Sequence, residues 1–372
     1  MLRINRRRLL GYSRMALASV AAAGLAACGA APAPTGVPPE PRASATPEPT
    51  EANATTEPAP AETGEPRAES LTPSAAPAEP TAALAADTPA AAPAATTAAA
   101  VGDVYLAVAR GSSPAAITEA AINAIGGIER FVKAGDDVIV KPNICNAYHG
   151  PEYASTTNPE VVATIVSLCR AAGARRVRIV DYPFGGTPED AYVTSGIKDA
   201  VEAAGGEMEV MSPLKFAEVD FPPESVEIRK WPVFQDALKV DALINVPIAK
   251  HHGDAVLTLG CKNMMGLVEQ RNLIHMSLHQ RIADLVALFR PTLTVVDAVR
   301  ILMANGPTGG SLGDVKEMNT VIASHDIVAA DAYATTMFPF ADTDKVAYIK
   351  LAADMGLGTR DLTSAKVQEI EV

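Results

Sequence analysis

Two short segments of this chain concentrate polar and basic side chains where a strand is predicted to end. Residues 245–252 read NVPIAKHH, and residues 259–266 read LGCKNMMG. The apolar run at residues 240–246 is typical of a buried strand, and Pro247 predicts the end of that strand. Because buried polar groups cost free energy unless they are paired, a cluster of this kind beyond a core strand indicates a cleft.

The lysines near these predicted strand ends are suited to binding an anion. Lys141 follows an earlier apolar run, and Lys250 and Lys262 belong to the two polar segments. An ammonium group can bind a carboxylate or a phosphate, and neighbouring amides can orient it. We predict that a small anionic substrate is bound by Lys141, Asn143, Asn245, Lys262 and Asn263. For Lys141, the alternative is a surface lysine beside a turn.

The adjacent histidines His251 and His252 are candidates for proton transfer. Neighbouring residues on any regular element point in different directions, so at most one of them shares a face with Lys250. Imidazole titrates near neutrality and serves as a general acid or base, whereas a metal ligand and a solvated loop residue are the competing interpretations. We predict catalytic roles for Lys250, His251 and His279.

A second histidine pair suggests a metal site. His275 and His279 are four residues apart in a helical pattern over residues 273–289, so a continuous helix would place both rings on one face. A divalent metal held there would take Asp297 or Asp331 as a third ligand. The residue after His275 is not glutamate, so the zinc-protease motif is absent.

The cysteines do not form a recognisable cluster. Cys145, Cys169 and Cys261 are an odd number without a close-spaced pair, so we expect neither a disulfide framework nor an iron–sulfur cluster built by this chain alone. Cys169 is predicted to be core. Cys261 is either a low-pKa thiolate beside Lys262 or a small buried residue. The glycine-rich residues 306–310 match no nucleotide-binding motif and are predicted to form a loop that lines the cleft.

Alternating strands and helices must position these residues. The predicted strands are continuous apolar runs, which are typical of strands buried on both faces. We therefore predict an α/β fold, a doubly wound, mostly parallel sheet with helices on both faces, and ligands of such sheets bind beyond the carboxyl ends of the strands. The predicted strands are residues 104–109, 137–140, 177–180, 207–211, 240–246, 293–296 and 320–323, with a hairpin at 216–230 and helices from Ser113, from Asn158, and at 187–204, 273–289 and 327–337.

The start of the chain resembles an export and anchoring signal. Arg6 and Arg7 precede a short apolar run that ends in a lipobox-like sequence before Cys28. We predict a signal peptide at residues 1–28 with lipidation at Cys28, a disordered Ala/Pro/Thr-rich linker at 29–100, and the α/β domain at 101–372. The protein would then be an extracytoplasmic lipoprotein anchored to the membrane, exported by the twin-arginine or the general route.

The charge distribution excludes one class of partner. The net charge is −12, and no basic stripe with interleaved aromatic residues is present. Nucleic acid is therefore not an expected partner.

Several segments together resemble a known family, the bacterial and archaeal domain of unknown function 362. The matching segments are residues 138–143, 156–160, 245–251, 259–268, 279–280, 296–297 and 305–310. The resemblance implies the fold and the location of the site rather than a reaction. Relatives carry ferredoxin-type modules or twin-arginine leaders, which implies a redox partner or cofactor, but this chain lacks their cysteine clusters.

These observations lead to three functional hypotheses. The leading one is an enzyme that acts on a small anionic substrate, with a divalent metal or a redox cofactor as an option. The second is a tethered solute-binding or metal-binding lipoprotein without catalysis. The third is a structural envelope protein, for which the polar residues would be scattered in space.

Overall fold

Apolar segments form the strands at the centre of the fold. The computed structural model describes residues 105–372, so the predicted signal peptide, Cys28 and the linker lie outside the described residues. The strands are β1 (Leu106–Arg110), β2 (Asp137–Pro142), β3 (Arg176–Ile179), β4 (Glu207–Met208), β5 (Phe216–Asp220), β6 (Lys230–Phe234), β7 (Ala242–Val246), β8 (Ile248–His252), β9 (Val256–Thr258), β10 (Leu293–Leu302), β11 (Val315–Ser324) and β12 (Val367–Glu371).

Helices and short 3-10 turns connect these strands. The α-helices are α1 (Pro114–Ala124), α2 (Pro159–Ala171), α3 (Pro188–Thr194), α4 (Ile197–Ala203), α5 (Asp236–Lys239), α6 (Gly260–Asn263), α7 (Arg271–Ile274), α8 (Leu278–Phe289), α9 (Ile327–Thr335) and α10 (Ala347–Asp354). The 3-10 turns are Ile128–Arg130, Pro151–Tyr153, Pro213–Lys215, Met264–Leu267, His275–Ser277 and Leu312–Asp314. Within residues 105–372, no helix has the length and apolar character needed to cross a membrane.

The main sheet has the strand order β12-β1-β11-β10-β7-β2-β3-β4, and β8 pairs with both β10 and β9. Most neighbouring strands are parallel, while β11 is antiparallel to β1 and β10, and β9 is antiparallel to β8. The strands β5 and β6 form a separate antiparallel hairpin, which begins at the predicted Phe216 but extends to Phe234 rather than ending at residue 230. The predicted α/β fold with a mostly parallel sheet is confirmed.

Both faces of the sheet are covered, because side chains along a strand alternate between the faces. On β2, Val138 and Val140 pack with the core beneath α1, α2 and α4, whereas Ile139 packs with the core beneath α8, α9 and α10. The predicted cap of α2 is present: the Asn158 side chain accepts from the Glu160 backbone N–H, and Pro159 begins the helix.

Several predicted boundaries are wrong: β4 ends at Met208 rather than at residue 211, β11 begins at Val315 rather than at residue 320, and the helix predicted at 273–289 is divided at Ser277. Residues 187–204 form two helices rather than one, because Gly196 adopts a φ of 70° between them. Pro247 interrupts β7, but the chain continues directly into β8, which pairs with β10 and β9. β10 extends past Asp297 to Leu302 through an irregularity near Ala298, so Asp297 lies within the strand.

Candidate active site

A cleft of about 720 Å³ lies beyond the carboxyl ends of the parallel strands. Its walls are the segments that follow β2 and β3, the β8–β9 hairpin, α6 and α7, with Pro307 closing one side. This is the position at which α/β sheets place their ligands. The main chain therefore brings the two polar segments of the sequence into one cavity.

Lys262 presents an unpaired amino group to the cleft. Within residues 105–372, its Nζ has no hydrogen bond or ion pair. Burial, followed by the positive charges of Lys250 and Arg271, lowers the pKa of Lys262 to about 7 against the opposing effects of Cys145 and Asp254. Lys262 is thus a lysine that is partly neutral at neutral pH.

Lys250 also lines the cleft, but its ammonium is held by backbone carbonyls. Nζ donates to the Ser155 oxygen at 2.6 Å and to the Pro307 oxygen at 3.0 Å. These bonds connect β8 to the segment after the Pro151–Tyr153 turn and to the glycine-rich loop. Of that loop's predicted residues 306–310, Pro307 is the one that lines the cleft.

Lys141 lies below the cleft rather than in its wall. Its Nζ donates to Asp181 Oδ1 at 2.7 Å, to the Pro142 oxygen at 3.0 Å and to Asn263 Oδ1 at 3.1 Å. Burial lowers the pKa of Lys141, while the Asp181 carboxylate opposes this shift. The ammonium of Lys141, which is predicted to bind an anionic substrate, instead pairs with the carboxylate of Asp181.

The predicted amides form a network around Lys141. Asn263 Nδ2 donates to Asn245 Oδ1 at 2.8 Å, and Asn263 Oδ1 accepts from Asn143 Nδ2 at 3.2 Å. Asn143 and Asn263 line the cleft, whereas Asn245 lies beneath it and donates to the Gly260 oxygen. Two buried oxygens of the cleft lining, Asn143 Oδ1 and Thr258 Oγ1, have no partner in the described part of the chain.

The two adjacent histidines point in different directions. His252 lines the cleft, and its Nδ1 accepts the backbone N–H groups of Asp254 and Ala255, which leaves Nε2–H as its donor. His251 is not part of the cleft lining: its Nδ1 accepts from Gly306 N, and its ring packs edge-on against Phe340. Burial, and then the Lys262 charge, lower the pKa of His252 to about 3.

Sequence reasoning therefore singled out His251, whereas His252 is the histidine that reaches the cleft. Strand periodicity contains this information, because residues two apart on a strand share a face and Lys250 is two residues before His252. It was missed because Pro247 was interpreted as the end of strand structure.

The structure does not bring the predicted metal ligands together. The i,i+4 geometry is lost at Ser277, whose φ of −145° ends the 3-10 turn before α8 begins. His275 and Asp254 both line the cleft, with 3.3 Å between His275 Nδ1 and Asp254 Oδ2. The His279 ring instead stacks on the Tyr348 ring. Residues 105–372 contain no group of three or more His, Cys, Asp or Glu residues that could hold a metal.

Asp297 and Asp331, the predicted third ligands, both bind backbone N–H groups. Asp297 accepts from Asn158 N at 2.7 Å and from Val299 N at 2.9 Å, and burial raises its pKa to about 6. Asp331 accepts from the backbone N–H groups of Gly260 and Cys261, and burial raises its pKa to about 7. Both carboxyl groups fix the main chain around the site.

Two cleft residues carried no strong sequence signal. Arg271 donates to the carbonyl oxygens of Tyr182 and Pro183, and its guanidinium lies 4.4 Å from the centre of the Tyr182 ring. Cys145 lines the cleft with its Sγ 3.4 Å from the Pro307 oxygen. Cys261, in contrast, is fully buried, and burial raises the pKa of its thiol, so the interpretation as a small core residue holds.

A model of the family described as "Domain of unknown function (DUF362)" matches residues 138–336. The chain belongs to this family. The matched residues include every cleft residue of this DUF362 protein named above. The thylakoid-associated protein sll1697 of Synechocystis sp. is 26% identical over 223 residues, which are 58% of this chain and 66% of that protein. The chain thus matches slightly less than two thirds of this relative's length.

Among solved structures, the lactate racemase apoprotein from Thermoanaerobacterium thermosaccharolyticum is similar to this chain at 12% identity and a TM-score of 0.36. The similarity covers 61% of this chain and 55% of that protein.

The charged groups of the DUF362 cleft differ in whether they have a side-chain partner. The carboxylate of Asp181 is paired with Lys141, and that of Asp254 lies against His275. The cations of Lys250, Lys262 and Arg271 bind no side-chain carboxylate in the described residues. A low-dielectric cleft strengthens the effect of such charges.

Proposed function

We propose that this DUF362 protein is an enzyme that binds a small anion in the cleft and acts on it. The observation that supports this most directly is the Lys262 amino group, which enters the cleft without a partner in residues 105–372. Lys262 is half-buried, and an ammonium that loses part of its hydration without gaining an acceptor is destabilised, so a ligand that supplies an acceptor is favoured.

The other cleft groups suit the same ligand. Arg271 and Lys250 add positive charge for the anionic group, and the unpaired Asn143 Oδ1 is an acceptor for a hydroxyl or N–H group elsewhere on the ligand. His252 offers Nε2–H as a donor from a neutral imidazole, because its pKa is held at about 3. The lowered pKa of Lys262, about 7, supports an enzyme over a simple binder, since a lysine with such a pKa is suited to act as a base or nucleophile.

Anion binding is tested by calorimetric titration of the purified protein with acetate, pyruvate and inorganic phosphate. We expect at least one of these anions to bind, and Lys262→Met to weaken that binding at least about tenfold, because a hydrogen bond to a charged group is lost. Lys198→Met is the matched control, since Lys198 lies on α4 beside Glu202 and outside the cleft. Equal weakening by the control, or no binding by the wild type, contradicts the proposal.

Catalysis is tested with Lys262→Arg, which keeps a positive charge but does not titrate near neutrality. The wild-type protein and the variant are incubated with a small-molecule extract, and consumption is followed by mass spectrometry. An enzyme consumes an anionic compound that the variant binds without converting. A binder without catalysis, the second hypothesis, leaves the extract unchanged in both cases.

We also propose that the chain is an extracytoplasmic lipoprotein, held at the membrane through Cys28, with a redox partner or divalent metal as a further option. The lipobox-like sequence and the paired Arg6 and Arg7 support this. Cys28→Ala is expected to move the protein from the membrane fraction to the soluble fraction. Replacing both arginines with lysine blocks export if the twin-arginine route is used, and elemental analysis of the native protein tests for a metal.

A further inference from the structure

The three lysines at the site differ in what holds their amino groups. Lys141 Nζ has three acceptors, and Lys250 Nζ has two backbone carbonyl acceptors. An acceptor of this kind needs an N–H opposite it and so favours the charged ammonium. Lys262 has no such acceptor in the described residues and is the lysine of the three whose nitrogen lone pair can become available.

The surroundings of Lys262 favour its neutral form. The side chains that shift its pKa come from several walls of the cleft: Lys250 on β8, Arg271 on α7, Cys145 after β2, and Asp254 in the β8–β9 turn. His252, close to Asp254, is neutral near pH 7, because its pKa is lowered to about 3, and it adds no charge of its own. Burial and the two cations lower the pKa of Lys262 by more than Cys145 and the exposed Asp254 carboxylate raise it. A lysine that is desolvated and close to other cations is an activated amine nucleophile.

We infer that Lys262 forms an imine with a small carbonyl compound that also carries an acid group, a compound of the 2-oxo acid class. This inference rests on the proposed anion-binding cleft and names its substrate class. Arg271 and the remaining N–H of Lys250 are the cations available for the acid group. The Nε2–H of His252 is the donor available for the carbonyl oxygen.

The bonding changes balance without a further reactant. The Nζ lone pair forms a bond to the carbonyl carbon, and the C=O π pair moves to oxygen, which takes up a proton as nitrogen loses one. The carbon–oxygen bond then breaks, the oxygen leaves as water with a second proton from nitrogen, and a C=N bond remains. Water reverses the sequence and releases the carbonyl compound. Proton loss from the carbon next to the imine is the step that such an adduct accelerates.

The experiment traps the imine in the full-length protein. Wild-type protein is incubated with pyruvate and sodium cyanoborohydride, which reduces an imine to a stable amine, and tryptic peptides are analysed by mass spectrometry. We expect the reduced pyruvate adduct on Lys262 to form at least about tenfold faster than on Lys198. Acetate, which has an acid group but no carbonyl able to form an imine, should slow labelling of Lys262 by competition.

The variants separate this inference from the proposed function. Lys262→Arg should still bind pyruvate in a calorimetric titration but acquire no adduct at position 262. In the wild type, the trapping rate should rise as the pH increases through about 7, where Lys262 loses its proton. Pyruvate binding with adducts spread over exposed lysines overturns the imine and leaves anion binding standing. Failure of the wild type to bind any of the three anions overturns both.

Discussion

Lys141 and Asp181 form a buried ion pair with 2.7 Å between Nζ and Oδ1. The pair joins the end of β2 to the residue that follows β3 by two positions, and Gly266 lies directly over it: a Cβ on Gly266 would meet both charged groups. The Asp181 carboxylate also accepts from the Ile144 backbone N–H. The pair therefore forms the floor of the cleft and holds the adjacent wall in place.

Removal of Lys141 should destabilise the fold strongly. Lys141→Met leaves the Asp181 carboxylate buried without its cation, and breaking a buried pair in this way costs about 3–5 kcal/mol. The free energy of unfolding is measured by urea denaturation. Lys198→Met, which removes an exposed charge from α4, is expected to change it by less than about 0.5 kcal/mol. A similar decrease in the free energy of unfolding in both variants would show that the buried pair stabilises the fold no more than an exposed charge does.

A methyl group at position 266 should disturb the same pair from above. Gly266→Ala places a Cβ against Asp181 and Lys141, and overpacking of this kind costs about 1–3 kcal/mol. Gly253→Ala is the matched control, because a Cβ there meets nothing within 4 Å. The melting temperatures of the two variants are compared, and that of Gly266→Ala is expected to be the lower. Equal melting temperatures would contradict the close packing of Gly266 on the ion pair.

The sheet could be predicted because its signals are local. The apolar run at residues 138–140 has no polar face, which indicates a strand covered on both sides, and Asn158 followed by Pro159 is sufficient to predict where α2 begins. The position of the cleft could also be predicted, since polar residues near strand ends gather at one edge of a parallel sheet.

The roles within the site depended on contacts that are distant in sequence. Lys141 looked like an anion ligand because Asp181, its partner, is 40 residues away and meets it only when β2 and β3 pair. His275 and His279 looked like a pair because the break at Ser277 has no clear sequence signal. Arg271 reaches the cleft through its bonds to the segment after β3, which no local pattern encodes.

Lys250 should control the mobility of the glycine-rich loop. Its ammonium bridges the carbonyl oxygens of Ser155 and Pro307, so Lys250→Met removes the charged link between β8 and this loop. We expect amide hydrogen exchange at residues 308–310 to increase at least about tenfold, which corresponds to about 1.4 kcal/mol of lost local stability. Exchange in α2 is the internal control and should not change. Unchanged exchange in the loop would mean that other contacts hold it.

Lys262 should make stability depend on pH in a predictable direction. Its pKa is about 7 in the folded protein, against an ordinary value of 10.5, so between these values the unfolded chain binds the proton more tightly. The burial penalty is full below pH 7 and decreases as the pH rises toward 10.5. Lys262→Met removes this penalty, and its gain in unfolding free energy over the wild type should be largest at pH 6 and shrink steadily at pH 8 and 9.5.

The comparison with Lys198→Met isolates the burial of Lys262 as the cause. Lys198 is exposed beside Glu202, so its replacement should give a difference from the wild type that hardly changes over the same pH range. Urea denaturation of the three proteins at each pH gives the required differences. A Lys262→Met gain that is the same at pH 6 and 9.5 would mean that Lys262 is charged throughout, and the amine would then lack the neutral fraction that its proposed chemistry needs.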